Sequence, residues 1–151
     1  MTLDETGVVT ACNSCGTMNR LKYAHLERAT TCGKCHAALP FPAQPIDAPT
    51  AQLFDAAIRQ SSLPVVVDFW AVWCGPCHMM APEMDKVAQH TAGKTLVLKV
   101  DTDRNPELSQ RYQIRGIPTI IIFVGGKEAT RASGVRPAAS IEQLVTQSAA
   151  A

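Results

Sequence analysis

The six cysteines of this 151-residue chain occur as three Cys-x-x-Cys pairs. The pairs are Cys12 with Cys15, Cys32 with Cys35, and Cys74 with Cys77. Thiolates at this spacing bind metal ions, exchange disulfides or close a structural disulfide. The chain starts with acidic residues and has no long apolar stretch, which predicts a cytoplasmic protein whose thiols are mostly kept reduced. Metal binding and redox chemistry are therefore favoured over structural disulfides.

The composition excludes several other classes of function. The formal net charge is +1, and the charges are balanced in both halves of the chain, so bulk charge gives no indication of nucleic-acid or membrane-surface binding. No apolar run approaches the roughly 18 residues of a membrane-spanning helix. The sequence contains no coiled-coil pattern and no long apolar edge that would indicate a dimer, so we expect a monomer.

A proline-rich segment divides the chain. The stretch AALPFPAQPIDAP (37–49) holds four of the ten prolines, and such a stretch resists helix formation and packs poorly as a central strand. We therefore predict a small cysteine-rich module over residues 1–38, a semi-rigid linker over residues 39–49 and a main domain over residues 50–151.

Helical and strand patterns alternate along the main domain, which predicts an α/β fold. A helix is expected over residues 50–60, with Thr50 as its cap and Leu53 on its apolar face. The following elements are a buried strand (63–71), a helix from Gly75 to about Thr91 that contains Pro82, a strand (95–100), a short helix capped by Asn105, a strand (118–124), a return strand (127–133) after Gly125-Gly126, and a final helix (137–148).

The third cysteine pair would follow a buried strand and open a helix. Cys74 would then lie at the helix N-terminus, where free backbone N–H groups and the helix dipole favour a thiolate, the nucleophile of disulfide exchange. Pro76 suits the first turn because it lacks an N–H group. Cys77 lies one turn further on, where it can resolve a mixed disulfide formed by Cys74.

The main domain resembles the thioredoxin family. The resemblance rests on DFWAVWCGPC (68–77), Lys99, Gly116-Ile117-Pro118-Thr119 and Gly134, and it runs from about residue 50 to residue 150. It implies a thioredoxin fold, in which helices flank a central mixed sheet, and a protein-disulfide reductase that receives electrons from NADPH through a thioredoxin reductase. Val72 departs from the family, where a charged residue or proline is common. The family's first strand has its best candidate at residues 44–47.

The resemblance also implies roles for residues around the dithiol. Pro118 would follow a cis peptide bond and present the Ile117 backbone to an extended protein substrate. Trp73 would shield the dithiol, whose two cysteines are separated by Gly75 and Pro76.

Asp68 would be a buried base beneath Cys77, with Lys99 as its neighbour on the adjacent strand. Burial should raise the pKa of this carboxyl so that it accepts the Cys77 proton. A paired structural carboxylate is the alternative interpretation of Asp68.

Other interpretations of the third pair stay open from the residues alone. A CxxC pair can form a structural disulfide or half of a zinc site. CGPCH (74–78) also matches the c-type haem attachment pattern, with Met79 and Met80 as conceivable axial ligands.

The first two pairs have the spacing of a four-thiolate zinc site, with Cys12, Cys15, Cys32 and Cys35 as its ligands. Four thiolates complete a tetrahedral shell, which predicts one structural Zn²⁺ in a zinc ribbon, with glycines at both turns. Rubredoxin-like iron and two disulfides are the alternatives. A zinc ribbon before a thioredoxin domain resembles the zinc-containing thioredoxin 2 group of bacteria.

The sequence thus predicts a thiol-disulfide oxidoreductase with Cys74 as nucleophile and Cys77 as resolving thiol, acting on disulfide-containing proteins. Two alternatives remain. One is a disulfide oxidase or isomerase, and the other is a zinc-dependent redox switch in a binding or chaperone module.

Overall fold

The computed structural model describes residues 1–150, and the N-terminal part contains two small antiparallel sheets. The first is formed by β1 (Thr2–Leu3), β2 (Gly7–Ala11) and β3 (Met18–Lys22). A single turn of 3-10 helix (Tyr23–His25) leads to the second, formed by β4 (Thr30–Thr31) and β5 (Ala38–Leu39). We call residues 1–39 the N-terminal module.

The main part is a five-stranded sheet flanked by helices. Its elements are β6 (Ile46–Asp47), α1 (Ala51–Gln60), β7 (Val65–Trp70), α2 (Gly75–His90), β8 (Leu96–Asp101), α3 (Pro106–Arg111), β9 (Thr119–Val124), β10 (Lys127–Ser133) and α4 (Ala138–Ala150). The strand order is β10-β9-β7-β8-β6, with β6, β7 and β8 parallel and the β9–β10 hairpin antiparallel. This mixed sheet with helices on both faces is the predicted α/β fold. None of the helices within residues 1–150 is long and apolar enough to cross a membrane.

The segment predicted as a linker is partly built into the sheet. Ile46–Asp47 pairs in parallel with β8, at the position proposed for the first strand, and Leu39 belongs to β5. Within residues 39–49, the range predicted as a semi-rigid linker, Leu39 and Ile46–Asp47 are thus paired in sheets, and the residues between them are not. Proline prevents strand pairing only at positions where a backbone N–H, which proline lacks, must donate a hydrogen bond. Two residues between Pro45 and Pro49 can therefore still form a short edge strand.

Two other details differ from the sequence predictions. Phe54, and not Leu53, is fully buried on α1, where its ring packs edge-on against Tyr112 and Phe123. Asn105 precedes α3 but makes no capping hydrogen bond, because its side-chain amide donates to the Asp101 carbonyl instead (3.0 Å). The Thr50 hydroxyl does cap α1 by accepting from the Leu53 N–H (3.1 Å).

The N-terminal module packs against the main domain and shares its core. Tyr23 and Leu26 are buried in the same apolar cluster as Ile58 of α1. The Ser62 N–H donates to the Tyr23 carbonyl (2.9 Å), and the Leu26 N–H donates to the Ser62 hydroxyl (3.1 Å). The Gln60 amide donates to the backbone of Glu5 (2.8 Å). The module is therefore fixed in place and does not swing on a free connector.

The contacts of Tyr23 and Leu26 with Ser62 lie at the far end of β7 from the third cysteine pair. Ser62 precedes β7 and Cys74 follows it. A strand of six residues spans about 20 Å, so these contacts are far from Cys74.

Candidate active site and cysteine cluster

Cys74 and Cys77 form a disulfide at the N-terminus of α2. Cys74 is the N-cap residue, and its Sγ accepts a hydrogen bond from the Cys77 N–H (3.2 Å). The two Cα atoms are 5.3 Å apart, and only 4% of Cys74 and 3% of Cys77 are exposed. In the reduced protein the same N–H group and the positive end of the helix dipole would stabilise a Cys74 thiolate.

The loop before β9 faces this disulfide. The Ile117–Pro118 peptide bond is cis, and the Ile117 carbonyl oxygen lies 3.8 Å from Cys74 Sγ. The Thr119 hydroxyl donates to the Gly116 carbonyl (2.5 Å). The Ile117 backbone is thus held next to the sulfur that a substrate disulfide would have to reach.

Trp73 stands beside the disulfide and is held by a partner that the sequence analysis missed. Its side chain is 71% exposed, and its indole N–H donates to an Asp103 carboxylate oxygen (2.9 Å). Val72 is also exposed, and its carbonyl accepts from the His78 ring (2.6 Å). The position of Asp103 after β8 was the available signal, because the carboxyl ends of parallel strands lie at one edge of a sheet.

A groove of about 640 Å³ runs from the disulfide towards α3. Its far wall includes Ser109 and Arg115. The groove also brings together most of the residues predicted to surround the dithiol, which are Trp73, Cys74, Gly75, Pro76 and Ile117. Such a volume is typical of a site that binds part of a ligand. Cys74 is thus one of the residues that line the groove.

Asp68 and Lys99 lie outside this groove, on adjacent strands. They are partners in the parallel register of β7 and β8. Only 5% of Asp68 is exposed, and its Oδ1 atom has no hydrogen-bond partner among the described residues. Burial raises the pKa of Asp68 to about 7, and the charge of Lys99 opposes this shift only in part. The Lys99 ammonium lies 5.7 Å from the centre of the Trp70 ring.

The four remaining cysteines form a compact cluster. All four Sγ atoms of Cys12, Cys15, Cys32 and Cys35 lie within 4.8 Å of one another. The Sγ atoms of Cys12 and Cys35 are 3.6 Å apart, and those of Cys15 and Cys32 are 3.7 Å apart. These distances are much longer than the roughly 2.05 Å of a disulfide bond. They are close to the separation of about 3.8 Å between sulfurs bound tetrahedrally at a Zn–S distance of about 2.3 Å.

Two of the four sulfurs, those of Cys12 and Cys32, receive N–H donors, whereas the neighbouring thiols raise the pKa of Cys35. Backbone N–H groups of Ser14 and Lys34 donate to the sulfurs of Cys12 and Cys32, each at 3.4 Å. The Asn19 amide also donates to Cys32 Sγ (3.4 Å). Hydrogen bonds of this kind, led by the one from the Cys35 backbone, lower the pKa of the Cys32 thiol. The donors therefore match a site that binds a cation through sulfur.

The two turns of this cluster use different residues for the same backbone shape. Gly16 follows Cys15 with a positive φ of 76°, and His36 follows Cys35 with a positive φ of 63°. Gly33, the glycine inside the second pair, does not have a positive φ. A histidine in the left-handed region is uncommon but is found more often than most residues, because its polar side chain is tolerated there.

Comparison with known proteins identifies the family. The thioredoxin family profile, described as Thioredoxin, matches residues 45–147. Thioredoxin C-3 of Corynebacterium nephridii is 39% identical over 140 residues, covering 93% of this chain and 94% of that protein. Thioredoxin 1 of a Nostoc species is 46% identical over 99 residues, covering 63% of this chain and 92% of that protein.

Solved structures agree with this result. The chain is similar to chloroplastic thioredoxin z, with 38% identity, a TM-score of 0.66, and coverage of 72% of this chain and 96% of the other. It is also similar to a mutant thioredoxin from Halobacterium salinarum, with 29% identity, a TM-score of 0.66, and coverage of 71% of this chain and 92% of the other. The chain therefore belongs to the thioredoxin family and is a protein-disulfide reductase of the thioredoxin type.

Proposed function

We propose that the Cys74–Cys77 dithiol carries the reductase activity, with Cys74 as nucleophile and Cys77 as resolving thiol. The observation that supports this most strongly is the position of Cys74 Sγ. It lies at a helix N-terminus and 3.8 Å from the Ile117 carbonyl, and Cys74 lines the groove. The Ile117 backbone would pair with an extended substrate, and Trp73, Gly75 and Pro76 would form the adjacent walls.

The exchange takes place in two steps, attack by Cys74 and resolution by Cys77. The Cys74 thiolate attacks one sulfur of the substrate disulfide, forming a mixed disulfide and releasing the other substrate sulfur as a thiolate that takes up a proton. Cys77 then loses its proton and attacks Cys74 Sγ. The bond between Cys74 Sγ and the substrate sulfur breaks, and that sulfur leaves as a thiolate, which takes up a proton from solvent. The substrate gains two electrons and two protons, and the protein is left with the Cys74–Cys77 disulfide.

Asp68 would accept the proton that Cys77 loses, directly or through one water molecule. Its pKa of about 7 suits a base that must take a proton from Cys77 and then release it to solvent near neutral pH. Lys99 would keep part of the carboxylate population ionised. The burial and the unpartnered Oδ1 atom of Asp68 support this role, because a carboxylate costs free energy in such a place.

We expect Asp68→Asn to slow the resolving step by roughly 10²-fold or more, the lower range of general acid–base effects. The attack by Cys74 should remain nearly unchanged. In the unaltered protein the resolving rate should rise with pH through about 7, where the Asp68 pKa lies, and this inflection should be absent in the variant. Rapid-quench measurement of both released thiols tests this. An unchanged resolving rate and pH profile would contradict the role of Asp68.

Asp68 should also make the protein less stable as the pH rises. Its pKa is raised from 3.8 to about 7, so between these values the folded state holds a proton that the unfolded state has lost. The free energy of unfolding should therefore fall from pH 4 to pH 7 by up to roughly 4 kcal/mol and then level off. Asp68→Asn should remove most of this slope in urea titrations, with Asp47→Asn as an exposed control. If the free energy of unfolding of Asp68→Asn still fell with pH over this range, the pH dependence would come from other groups.

The N-terminal module is proposed to be a zinc ribbon with one structural Zn²⁺ held by Cys12, Cys15, Cys32 and Cys35. The tetrad fits the ion because its paired sulfurs are 3.6 and 3.7 Å apart and receive N–H donors. With four protein ligands, no coordination position is left for a substrate, so the ion would stabilise the module and take no part in the exchange. This assignment matches the zinc-containing thioredoxin 2 group.

The electrons are proposed to come from NADPH through a thioredoxin reductase, with no organic cofactor bound to this chain. The proposed setting is a monomer in the cytoplasm acting on disulfide-containing proteins. The reduction potential of the Cys74–Cys77 pair, measured against glutathione, tests the direction of transfer. A value near that of thioredoxin, about −270 mV, supports a reductase, whereas a value near about −120 mV would indicate an oxidase.

A further inference from the structure

A second cavity, of about 330 Å³, leads from the surface to Asp68. Its floor contains Asp68 and Lys99, and its helical wall contains Asp85 and Gln89 of α2. The opposite wall is formed by Gln44, together with Pro45, just before β6. This cavity is separate from the groove that Cys74 lines, because the two have no lining residue in common.

We propose that this cavity is the route by which Asp68 exchanges its proton with solvent, and that Asp85 accepts the proton at the outer end. The inference rests on the proposed role of Asp68 and extends it. The proton taken from Cys77 must leave Asp68 before the next turnover, and the groove at Cys74 is filled by the substrate during the reaction. A second opening allows the proton to leave while the substrate is bound.

The surroundings of Asp68 leave few other routes. On the sheet, Asp68 is flanked by Lys99 on β8 and by Ile120 on β9, and the helix above contributes Ala81 and Met84. Lys99 is the one cation lining the cavity, and its charge favours proton loss from Asp68 but cannot accept that proton. Asp85 is the other carboxylate of the lining and is exposed, so it is in contact with solvent.

The wall that contains Gln44 is held in place on both sides. Ile46 pairs with Leu98 in the sheet. On the other side, Phe41 packs so closely on Gly93 that a Cβ added there would lie 3.2 Å from the ring. The residues on both sides of Gln44 are therefore held in place, and a glutamine amide on this wall can donate hydrogen bonds to water along the route and accept them from it.

Two exposed positions test the route without disturbing the core. Gln44→Leu replaces the polar wall by an apolar one of similar size, and Asp85→Asn removes the outer acceptor. Both should slow the resolving step at low buffer concentration by about fivefold or more, while attack by Cys74, measured in a Cys77→Ser background, stays unchanged. Gln143→Leu on α4 and Asp47→Asn on β6 are matched controls, because both residues are exposed and neither lines the cavity.

Two further readouts separate proton transfer from a structural effect. Imidazole at high concentration should restore the rate of Asp85→Asn, because a small buffer replaces the missing acceptor. Gln44→Leu should raise the pKa of Asp68, followed by carboxyl ¹³C NMR, because the carboxyl becomes drier. If both variants resolve the mixed disulfide at the unaltered rate while Asp68→Asn is slow, the route is overturned and the role of Asp68 stands. If Asp68→Asn resolves the mixed disulfide at the unaltered rate, the proposed role of Asp68 is itself wrong.

Discussion

Cys74→Ser should reduce insulin disulfides at least about 10³-fold more slowly than the unaltered protein, because a hydroxyl at this position cannot attack a disulfide. Cys77→Ser should behave differently. It retains the nucleophile, so it should form a mixed disulfide with the substrate and then stop. The measurement is turbidimetric insulin reduction with dithiothreitol, accompanied by non-reducing gel electrophoresis of both variants.

The difference between the two variants tests which cysteine is the nucleophile and which is the resolving thiol. Cys74 is the N-cap residue and accepts the Cys77 N–H, so the stabilised thiolate belongs to Cys74. If Cys74→Ser were as active as the unaltered protein, or if only Cys74→Ser trapped substrates, the order of attack would have to be reversed or abandoned.

Removal of zinc should have the largest effect on stability. We expect one zinc per chain, and we expect chelation to lower the melting temperature of the whole chain rather than of the module alone. The reason is that Tyr23 and Leu26 of the module are buried in the same cluster as Ile58 of the main domain. A loss of about 5 kcal/mol would lower the Tm of a chain of this size by roughly 10–20 °C.

The test compares metal content and thermal unfolding before and after treatment with a strong chelator. Cys32→Ser should lose the metal and unfold at a similar, lower temperature without any chelator. Cys74→Ser should keep its full zinc content, because that thiol lies outside the cluster. A protein isolated with its four thiols reduced but without zinc or iron, and with a Tm insensitive to chelation, would contradict a metal-stabilised module.

Sequence patterns were sufficient for the order of the main elements. The valine run before Asp68, the Pro76 position in α2 and the Gly125-Gly126 turn each specify local structure, and all three lie where they were expected. The pattern failed where tertiary contacts decide. Ile46–Asp47 has no strand pattern of its own among the prolines. The resemblance, and not the pattern, indicated residues 44–47 as the first strand, and pairing with β8 gives Ile46–Asp47 that conformation.

The cysteines of the candidate site could be predicted from the sequence, but the residues that hold the site in place could be predicted only in part. Spacing alone brings Cys74 next to Cys77, and the resemblance led to Ile117 and Pro118. Asp103 was missed because its bond to the Trp73 indole joins residues 30 positions apart, and no local pattern records that. The cavity below Asp68 was missed for the same reason, since its walls come from four separate segments.

The docked N-terminal module has a consequence for the edge of the sheet. β6 is the outermost strand next to β8, and β1 of the module lies against it. This edge is only two residues long and lies between Pro45 and Pro49, which limits its pairing with other chains. Loosening of the module by oxidation or metal loss would also expose the apolar cluster that Tyr23 and Leu26 share with Ile58. We therefore expect self-association after loss of the module to occur through this apolar surface and not through the strand edge.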